Sequence, residues 1–419
     1  MTETISVASQ PDAELIGRAR ALSPALRARA ADSEATRRLS DQDIAQLSEA
    51  RLFELCVPKR LGGLQVNVRT LVDVIAAVAY GNGAAGWVVS LMNTSAWMAA
   101  LFPEQAQQDI WAGDPGTRIA TVFDAGGTAV PVEGGYRVSG TWGYGSGSLH
   151  AGWASLGVLI PRADSASQAD SASQADSASQ ADGASQTDSG QDLALVLVPA
   201  AEYTVKDTWF TAGMRGTGSN TIVAEDAFVP FHRVHLFDDI VEGRYLTEFS
   251  DEPLYRAPFL PVGTVILGAP QLGLARAALD LTLEVLPRRS VKYTSYTRSA
   301  DAPTVQLAVA AAASMTDAAE LLLHRCTTEI DDLAAAGQHA TRVQRARARM
   351  DTGHAISLCR QAIDKLLTVN GASAFGEFNH IQRIWRDSAT ASRHAFAEPE
   401  IGTEIYGKEL LGVPNVMPI

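Results

Sequence analysis

The 419-residue chain has few cysteines and no excess of positive charge. Its three cysteines, Cys56, Cys326 and Cys359, lack CxxC spacing and are odd in number, so neither a disulfide framework nor a thiolate zinc site is predicted. Few and unpaired cysteines are typical of proteins from a reducing compartment, and we expect a cytoplasmic protein. The chain has 34 Lys and Arg and 47 Asp and Glu, so its net charge is −13. It therefore lacks the excess of basic residues that is typical of proteins that bind nucleic acid.

The sequence also lacks a secretion signal and an uninterrupted membrane-spanning segment. Its first residues, MTETISVASQPDAEL, contain neither a basic region nor an apolar core. The longest apolar stretch, 71–92, is interrupted by Asp73 and by Gly81-Asn82-Gly83. This pattern predicts two buried helices with a break between them, and we expect no membrane partner.

Common cofactor and nucleophile motifs are missing as well. The glycine-rich segments 143–147 and 213–218 complete neither GxGxxG nor a Walker loop, so no NAD(P)H-binding Rossmann domain is predicted. No HExxH motif and no GxSxG elbow occur, so we predict neither a metal site nor a serine hydrolase.

The patterns that are present follow the order helix, sheet, helix, which predicts an α+β fold. Residues 1–117 show helical apolar spacing, with Ser40 as a predicted N-cap. Residues 118–237 alternate Thr, Val, Gly and aromatic residues in short runs, which predicts a central β-domain. In 238–419 the helical period returns over two long stretches, 304–336 and 341–369, as is typical of a four-helix bundle.

A repeat of Ser-Ala-Ser-Gln-Ala-Asp interrupts the β-domain at 165–188. Its composition cannot bury enough apolar surface to offset the entropy of ordering, so we predict a disordered insertion, 164–191, between two strands. The simplest interpretation is an expansion without function, and binding of a partner protein is the alternative.

Several blocks of the sequence are similar to the acyl-CoA dehydrogenase superfamily. They are Ala85-Gly86-Trp87-Val88, 100–107, 138–153, 213–220, 225–230 and 382–387. These blocks most resemble the branch of two-component, reduced-flavin-dependent monooxygenases of the hydroxyphenylacetate hydroxylase oxygenase type. The resemblance implies an N-terminal helical domain, a central β-domain and a C-terminal four-helix bundle, assembled as a homotetramer.

A position near the C-terminus distinguishes the monooxygenase branch from the common acyl-CoA dehydrogenases. Common acyl-CoA dehydrogenases carry a catalytic Glu shortly after the Arg-Asp pair, whereas this chain has His394 at that point. A base for removing an α-proton from a thioester is therefore missing there. Glu398 or Glu400 would restore an acid if the register shifted, so an FAD-dependent acyl-CoA dehydrogenase stays open as an alternative.

The function implied by the resemblance is that of an oxygenase component. Such a component takes reduced FMN or FAD from a separate flavin reductase and uses O2, through a C4a-hydroperoxide, to hydroxylate a small aromatic substrate. N-oxygenation of an amine or amino sugar by the same chemistry is a second interpretation. A catalytically inactive scaffold that acts through oligomeric interaction is a third.

The resemblance also assigns site residues. Trp142, Tyr144 and Phe123 are expected to line the isoalloxazine, and Ser146 to hydrogen-bond near flavin N5. His394 is expected to act as a general base on a phenol or amine, or to position the peroxide oxygen. The remaining candidates are substrate contacts at Asn93, Ser95 and His150, and contacts to flavin phosphate or a neighbouring subunit at Arg289 and Gln306. Trp87 and Trp385 are interpreted as core residues.

Deletion of residues 165–188 is the first test of this interpretation. Because the repeat contributes no apolar core, we expect the melting temperature and the turnover number to stay close to those of the full chain. Differential scanning calorimetry and a product assay on the two proteins measure both quantities. A large loss of either would contradict the interpretation of the repeat as an expansion without function.

Overall fold

The computed structural model describes residues 7–162, 190–415 and 417. The helices of the N-terminal part are α1 (Ala13–Thr36), α2 (Asp41–Glu49), α3 (Val68–Gly81), α4 (Gly83–Ala99) and α5 (Glu104–Trp111). The strands are β1 (Ile119–Val132), β2 (Gly135–Gly145), β3 (Trp153–Pro161), β4 (Gln191–Pro199), β5 (Thr204–Lys206), β6 (Asn220–Pro230) and β7 (Val234–Leu236). The C-terminal helices are α6 (Phe237–Val241), α7 (Phe259–Val285), α8 (Pro303–Ala336), α9 (Arg342–Asn370), α10 (His380–Ala391) and α11 (Pro399–Leu411). The predicted order of helix, sheet and helix is confirmed.

Side-chain caps start several of these helices. Ser40 Oγ accepts the amide N–H of Asp43 at 3.0 Å, so the N-cap predicted for α2 is confirmed. Thr341 forms a complete capping box with Gln344 at the start of α9. The long helix before it, α8, ends at Gly337, whose φ of 65° is the left-handed conformation that glycine adopts without strain.

The apolar segment 71–92 forms two helices with a break at Asn82, as predicted. The backbone of Asn82 is extended, with φ −152°, and its Oδ1 accepts the N–H of Ala84 at 3.0 Å to begin α4. Gly86 allows α4 to approach α3 closely, because a Cβ there would lie 2.4 Å from the Cβ of Ala79. As a result α4 is buried along almost its whole length, and Trp87 lies inside the molecule.

The central domain is one seven-stranded sheet in the order β5-β6-β2-β1-β3-β4-β7. Neighbouring strands pair antiparallel except β1 and β3, which are parallel. The side chains of one face form an apolar core of their own, which includes Val138, Leu156 and Val196. This separate core lets the sheet pack as a unit against the helices on either side of it.

The repeat joins two neighbouring strands, β3 and β4. Pro161 pairs with Gln191, so β4 begins inside the boundary of 164–191 that the sequence predicted for the insertion. The insertion therefore ends before Gln191, because Gln191 continues the antiparallel pairing of β4 with β3 that Asp192 makes with Ile160. Residues 164–189 of the predicted insertion lie outside the described residues.

Within the described residues, two helices, α7 and α8, are long and apolar enough to cross a membrane by length and composition alone. In α7 the apolar stretch is 89% buried, as expected of a core helix in a helical bundle. In α8 the corresponding stretch is only 22% buried, and Leu307 and Leu321 are exposed. The C-terminal part therefore has an apolar helix face that this single chain leaves uncovered.

His235 is an ionisable group buried between the sheet and the N-terminal helices. It lies on β7, is 1% exposed, and contacts the ring of Phe102 edge-on at 5.4 Å. Neither ring nitrogen has a well-formed hydrogen bond among the described residues, and an interaction with the backbone of Leu236 only partly opposes the effect of burial. Burial therefore lowers the pKa of His235 to about 4, and the ring is neutral in the folded protein at pH 7.

Replacing His235 with Leu should make the protein less sensitive to mild acid. A histidine in the unfolded chain has a pKa near 6.5. The contribution of the neutral buried ring to the free energy of unfolding is therefore complete above pH 6.5 and is lost as the pH falls towards 4. Between pH 7.5 and 5.0 the loss for one such group is about 2 kcal/mol. Urea unfolding at the two pH values should show a smaller fall in His235→Leu than in the parent protein.

The matched control is His339→Leu, because His339 is exposed. This control should retain the full acid sensitivity of the parent. An equal fall in the free energy of unfolding in His235→Leu and the parent would show that His235 is not kept neutral by the fold.

Candidate functional site

The candidate site lies where the end of β2, the helix α4 and the segment after α10 meet. Trp87 from α4 is at its centre. Its indole N–H donates to Ser146 Oγ at 3.3 Å, and its ring lies 5.9 Å from the imidazole of His394. The two residues that the resemblance assigned to catalysis, Ser146 and His394, are therefore brought to one side chain although 248 positions separate them in the sequence (394 − 146).

The loop that carries Ser146 has an unusual backbone. The register between β2 and β6 shifts between Trp142 and Gly145, and Tyr144 within this bulge has φ 61°. Gly147 has φ 72°, and a Cβ there would lie 2.6 Å from the terminal methyl of Met92. A bulge that re-aims side chains at the end of a strand is a common feature of functional sites, and here it turns Ser146 towards α4.

A chain of hydroxyl groups continues from Ser146 into the protein. Ser146 Oγ lies 2.7 Å from Ser219 Oγ, which lies 2.6 Å from Thr217 Oγ1. Thr217 Oγ1 donates to the carbonyl oxygen of Met214 at 2.8 Å. All three hydroxyl-bearing residues are buried, so their hydrogen bonds are fixed by the protein and not by bulk water.

His394 is held as a neutral imidazole. Burial lowers its pKa to about 4, well below neutral pH. Its Nδ1 accepts the backbone N–H of Phe396 at 3.3 Å, which leaves the proton of the neutral ring on Nε2. The ring is therefore arranged to donate a hydrogen bond from Nε2. Of the two roles that the resemblance implied, positioning an oxygen agrees with this geometry better than acting as a general base.

Aromatic side chains extend from His394 to form an apolar wall. The ring of Phe396 lies 5.9 Å from that of His394 and 5.9 Å from that of Phe123. Phe123 in turn contacts Phe237 and Phe259 edge-on. The wall joins residues from β1, α6, α7 and the turn after α10, so it lines the junction between the sheet and the bundle.

The turn at 211–218 is fastened to α10 by a buried carboxylate. Asp387 Oδ1 accepts the backbone N–H of Met214 at 2.6 Å, and Arg386 donates to the carbonyl of Ala212 at 2.5 Å. Burial raises the pKa of Asp387 to about 6, and the hydrogen bond from Met214 opposes that rise. At Gly213 a Cβ would lie 2.1 Å from the carbonyl oxygen of Arg386, so the contact admits only glycine.

Glu34 of α1 completes this attachment. It pairs with Arg383 at 2.7 Å and with Arg386, both on α10. Although burial raises the pKa of Glu34, the two guanidinium groups outweigh that effect and lower it overall. The Gln382–Asp387 block that carried the family resemblance thus ties the first helix, the sheet and the bundle together.

Three of the predicted site residues make their hydrogen bonds within the protein. Trp142 is buried in the sheet core, and its indole N–H donates to the carbonyl of Gly157 at 2.7 Å, so neither ring face is free for a flavin. Asn93 uses its amide on the backbones of Leu52, Val89 and Leu55. Ser95 donates to the carbonyl of Leu91 within its own helix. These contacts fix the three side chains within the protein, and their assignments as flavin or substrate contacts stay predictions.

Three further predicted flavin contacts, Tyr144, Arg289 and Gln306, are at or near the surface. Tyr144 is 73% exposed and contacts the ring of Trp209 edge-on at 5.9 Å. Arg289 donates to Ser373 Oγ at 2.8 Å, and Gln306 donates to the carbonyl of Ala300 at 2.9 Å. Among the described residues no hydrogen bond or ring contact joins Arg289 or Gln306 to Ser146 or His394, so the single chain does not bring them to the site.

His150 faces the turn between α1 and α2. Burial, followed by the positive charges of Arg38 and Arg118, lowers the pKa of His150 to about 4. Its Nε2 is buried without a hydrogen-bond partner in the described part of the chain. No hydrogen bond or ring contact of the described residues links His150 to Trp87, so its assignment as a substrate contact stays a prediction.

A shifted acid in place of His394 is not favoured by the geometry. Glu398 and Glu400 lie at the start of α11, where they interact with each other and Glu400 is exposed. Thr403 donates to the carbonyl of Pro399 in its own helix. His394, and not a carboxylate, is therefore the group beside Trp87. Over the ranges that the structure describes, no cluster of three or more His, Cys, Asp or Glu forms a metal site.

Sequence reasoning missed three residues of the site. Trp87 was interpreted as core, and it is buried, but its N–H is used on Ser146. Thr217 and Ser219 stand in the block 213–220 that carried the resemblance, yet nothing in their spacing indicated a link to Ser146. The sequence did contain one indication of this link, because 138–153, which includes Ser146, and 213–220 both belong to the blocks that carry the family resemblance.

Comparison with known proteins gives consistent matches over almost the whole chain. The family model described as "Acyl-CoA dehydrogenase, C-terminal domain" matches residues 265–399. The oxygenase subunit HsaA of a flavin-dependent monooxygenase from Rhodococcus jostii (strain RHA1) is 33% identical over 398 residues, which are 94% of this chain and 97% of the relative. The oxygenase component of an FADH2-dependent resorcinol hydroxylase from Rhizobium sp. (strain MTP-10005) is 29% identical and covers 97% of this chain and 96% of its own length.

A solved structure shows the same similarity in three dimensions. XiaF from Streptomyces sp., in complex with FADH2 and glycerol, superposes with a TM-score of 0.86 at 34% identity and covers 97% of each chain. The resemblance stated from the sequence blocks is therefore confirmed, both for the fold and for the monooxygenase branch.

Substitution of Gly213 by Ala should weaken the attachment of the sheet to α10. The new Cβ would overlap the carbonyl oxygen of Arg386, so the turn must move and the hydrogen bond between Met214 and Asp387 is lost. We expect the free energy of unfolding to fall by about 2–3 kcal/mol, as measured by urea denaturation. The control is Gly263→Ala in α7, where a Cβ meets nothing within 4 Å. Equal stability of the two variants would contradict the proposed role of this contact.

Proposed function

This chain belongs to the oxygenase components of two-component flavin-dependent monooxygenases within the acyl-CoA dehydrogenase superfamily, and from that premise we propose that it hydroxylates a small phenol with reduced FAD and O2. The single observation that carries the proposal is the meeting of Ser146 and His394 at Trp87, between the sheet and the bundle. A hydroxyl acceptor and a neutral imidazole donor then face the same junction.

The residues at this junction fit a reduced flavin. Its ring system needs flat apolar neighbours, and Trp87, Phe396 and Phe123 offer them. Reduced flavin carries a hydrogen on N5 that needs an acceptor, and Ser146 Oγ is positioned to serve as one. When bound, the reduced flavin supplies the electrons with which O2 is activated.

The protein's own contributions are to bind, to orient and to exclude water. Ser146 holds the N5 hydrogen, while the aromatic wall keeps solvent away from the reacting atoms. His394 donates its Nε2–H to an oxygen of the substrate or of the bound O2, because its low pKa prevents it from holding a second proton at neutral pH. A phenol presents the kind of oxygen that such a donor orients.

FAD is favoured over FMN by two of the relatives. The resorcinol hydroxylase component is named as FADH2-dependent, and the XiaF structure contains FADH2. A separate flavin reductase supplies the reduced cofactor, since the sequence carries no nicotinamide-binding motif of its own. The three cysteines are free and buried, in keeping with a cytoplasmic enzyme.

A homotetramer is the proposed assembly. The exposed apolar face of α8, with Leu307 and Leu321, supports burial against another copy of the chain. Arg289 and Gln306 lie before and at the start of the same helix, so they are proposed to contact a flavin held by a neighbouring subunit. This placement accounts for their separation from Ser146 within one chain.

His394→Ala tests the function directly. The anaerobically reduced protein–FAD mixture is combined with O2 and a panel of simple phenols, and hydroxylated product and hydrogen peroxide are both measured. Removal of the donor should lower product formation about 100-fold while peroxide release continues. Binding of reduced FAD, measured by anaerobic titration, should remain.

The exposed His354 provides the matched control, and His354→Ala should behave as the parent does. Unchanged product formation by His394→Ala would remove His394 from the mechanism. Failure of the parent protein to bind reduced FAD or FMN, or bleaching of a bound oxidised flavin by an acyl-CoA, would contradict the proposed function as a whole.

A further inference from the structure

The hydroxyl chain behind Ser146 has a fixed direction. Its inner end is the carbonyl oxygen of Met214, which only accepts hydrogen bonds. Thr217 lies 2.8 Å from that oxygen and must therefore donate its single hydroxyl proton to it. The order of protons in the whole chain follows from this one bond.

Each following hydroxyl is left with one possible role. Because the proton of Thr217 is committed, Ser219 must donate across the 2.6 Å contact between their oxygens. Ser146 must then donate across the 2.7 Å contact to Ser219. No hydroxyl in this series retains a proton for any other partner.

Ser146 is thereby left as an acceptor towards the candidate site. One of its two lone pairs receives the indole N–H of Trp87 at 3.3 Å, and one remains. Ser146, Ser219, Thr217 and Trp87 are all buried, so water cannot readily reverse the order. A group that meets this remaining lone pair has to bring its own hydrogen.

We infer that Ser219 and Thr217 are positioning residues that hold Ser146 as a hydrogen-bond acceptor and so make the site select reduced over oxidised flavin. The inference rests on the proposed function, in which flavin N5 lies against Ser146. Reduced flavin has a hydrogen on N5 and satisfies the lone pair. Oxidised flavin presents an acceptor at N5, so two lone pairs face each other without a proton between them.

This selectivity matters to an oxygenase that shares a cofactor with a reductase. Oxidised flavin in the same solution competes for the site, and a preference for the reduced form lets the enzyme load the useful species. A lost buried hydrogen bond is worth about tenfold in affinity, which sets the scale of the expected effect.

The experiment compares two dissociation constants for each variant. Binding of oxidised FAD is measured in air by fluorescence, and binding of reduced FAD is measured by anaerobic titration. The variants are Thr217→Val, which removes the innermost hydroxyl at nearly constant volume, and Ser219→Ala, which removes the middle one. Thr217→Ser retains the hydroxyl, and Ser155→Ala removes a buried hydroxyl of β3 that has no hydrogen-bond partner among the described residues.

In Thr217→Val and Ser219→Ala the Ser146 proton is free to turn towards N5. The ratio of the oxidised to the reduced dissociation constant should therefore fall about tenfold relative to the parent. Thr217→Ser and Ser155→Ala should retain the parent ratio. A purely structural role would weaken both flavin forms equally and leave the ratio unchanged.

An unchanged ratio in Thr217→Val and Ser219→Ala would overturn the inference while the proposed function stands, provided that the parent binds reduced flavin and hydroxylates its substrate. If the parent binds neither form of flavin, the proposed function fails and the inference fails with it. The two failures are thus told apart by the parent protein alone.

Discussion

The hydrogen bond from the Met214 amide to the buried carboxylate of Asp387 is the contact on which the site depends. It fastens the turn at 211–218 to α10, and the same turn carries Thr217 and presents the carbonyl that ends the hydroxyl chain. Burial of a carboxylate is unfavourable in itself, as the raised pKa of Asp387 shows. The arrangement is retained because the amide would otherwise be buried without an acceptor, and because nearby arginines oppose the desolvation of the charge.

Near this attachment several polar groups are set by contacts within the protein. His394 is neutral because it is buried, and its Nδ1 is occupied by the amide of Phe396, so its remaining hydrogen has one direction. The order that we infer for the protons of Ser146, Ser219 and Thr217 follows from the carbonyl of Met214, which can only accept. Each of these side chains thus has a single hydrogen-bonding role, donor or acceptor, before a ligand binds. Such preorganised polar groups can stabilise charge that develops during a reaction.

The candidate site was predictable where family blocks carried a functional residue and unpredictable where a residue's own surroundings decided its role. The resemblance pointed to Ser146 through its block and to His394 through its distance from the Arg386-Asp387 pair, and the structure brings both residues to Trp87. The sequence around Trp142 does not reveal that its indole N–H donates to the carbonyl of Gly157 on β3, because a Trp beside a glycine-rich loop gives the same pattern whether its ring faces a ligand or the core. The amide of Asn93 serves the backbones of Leu52 and Leu55, which are far from it in sequence, and that of Val89 one helical turn away, and the spacing of residues did not indicate these contacts.

The sequence by itself determined the local structure of this protein: the Ser40 cap, the break at Asn82, the stop at Gly337 and the order of helix, sheet and helix. Each of these follows from backbone preferences and side-chain hydrogen bonds within a few residues. Only the tertiary structure decided that Trp87 joins Ser146 to His394, and in which direction the hydroxyl protons point. These features depend on contacts between distant segments, and spacing along a chain contains no information about such distances until the packing of the domains fixes them.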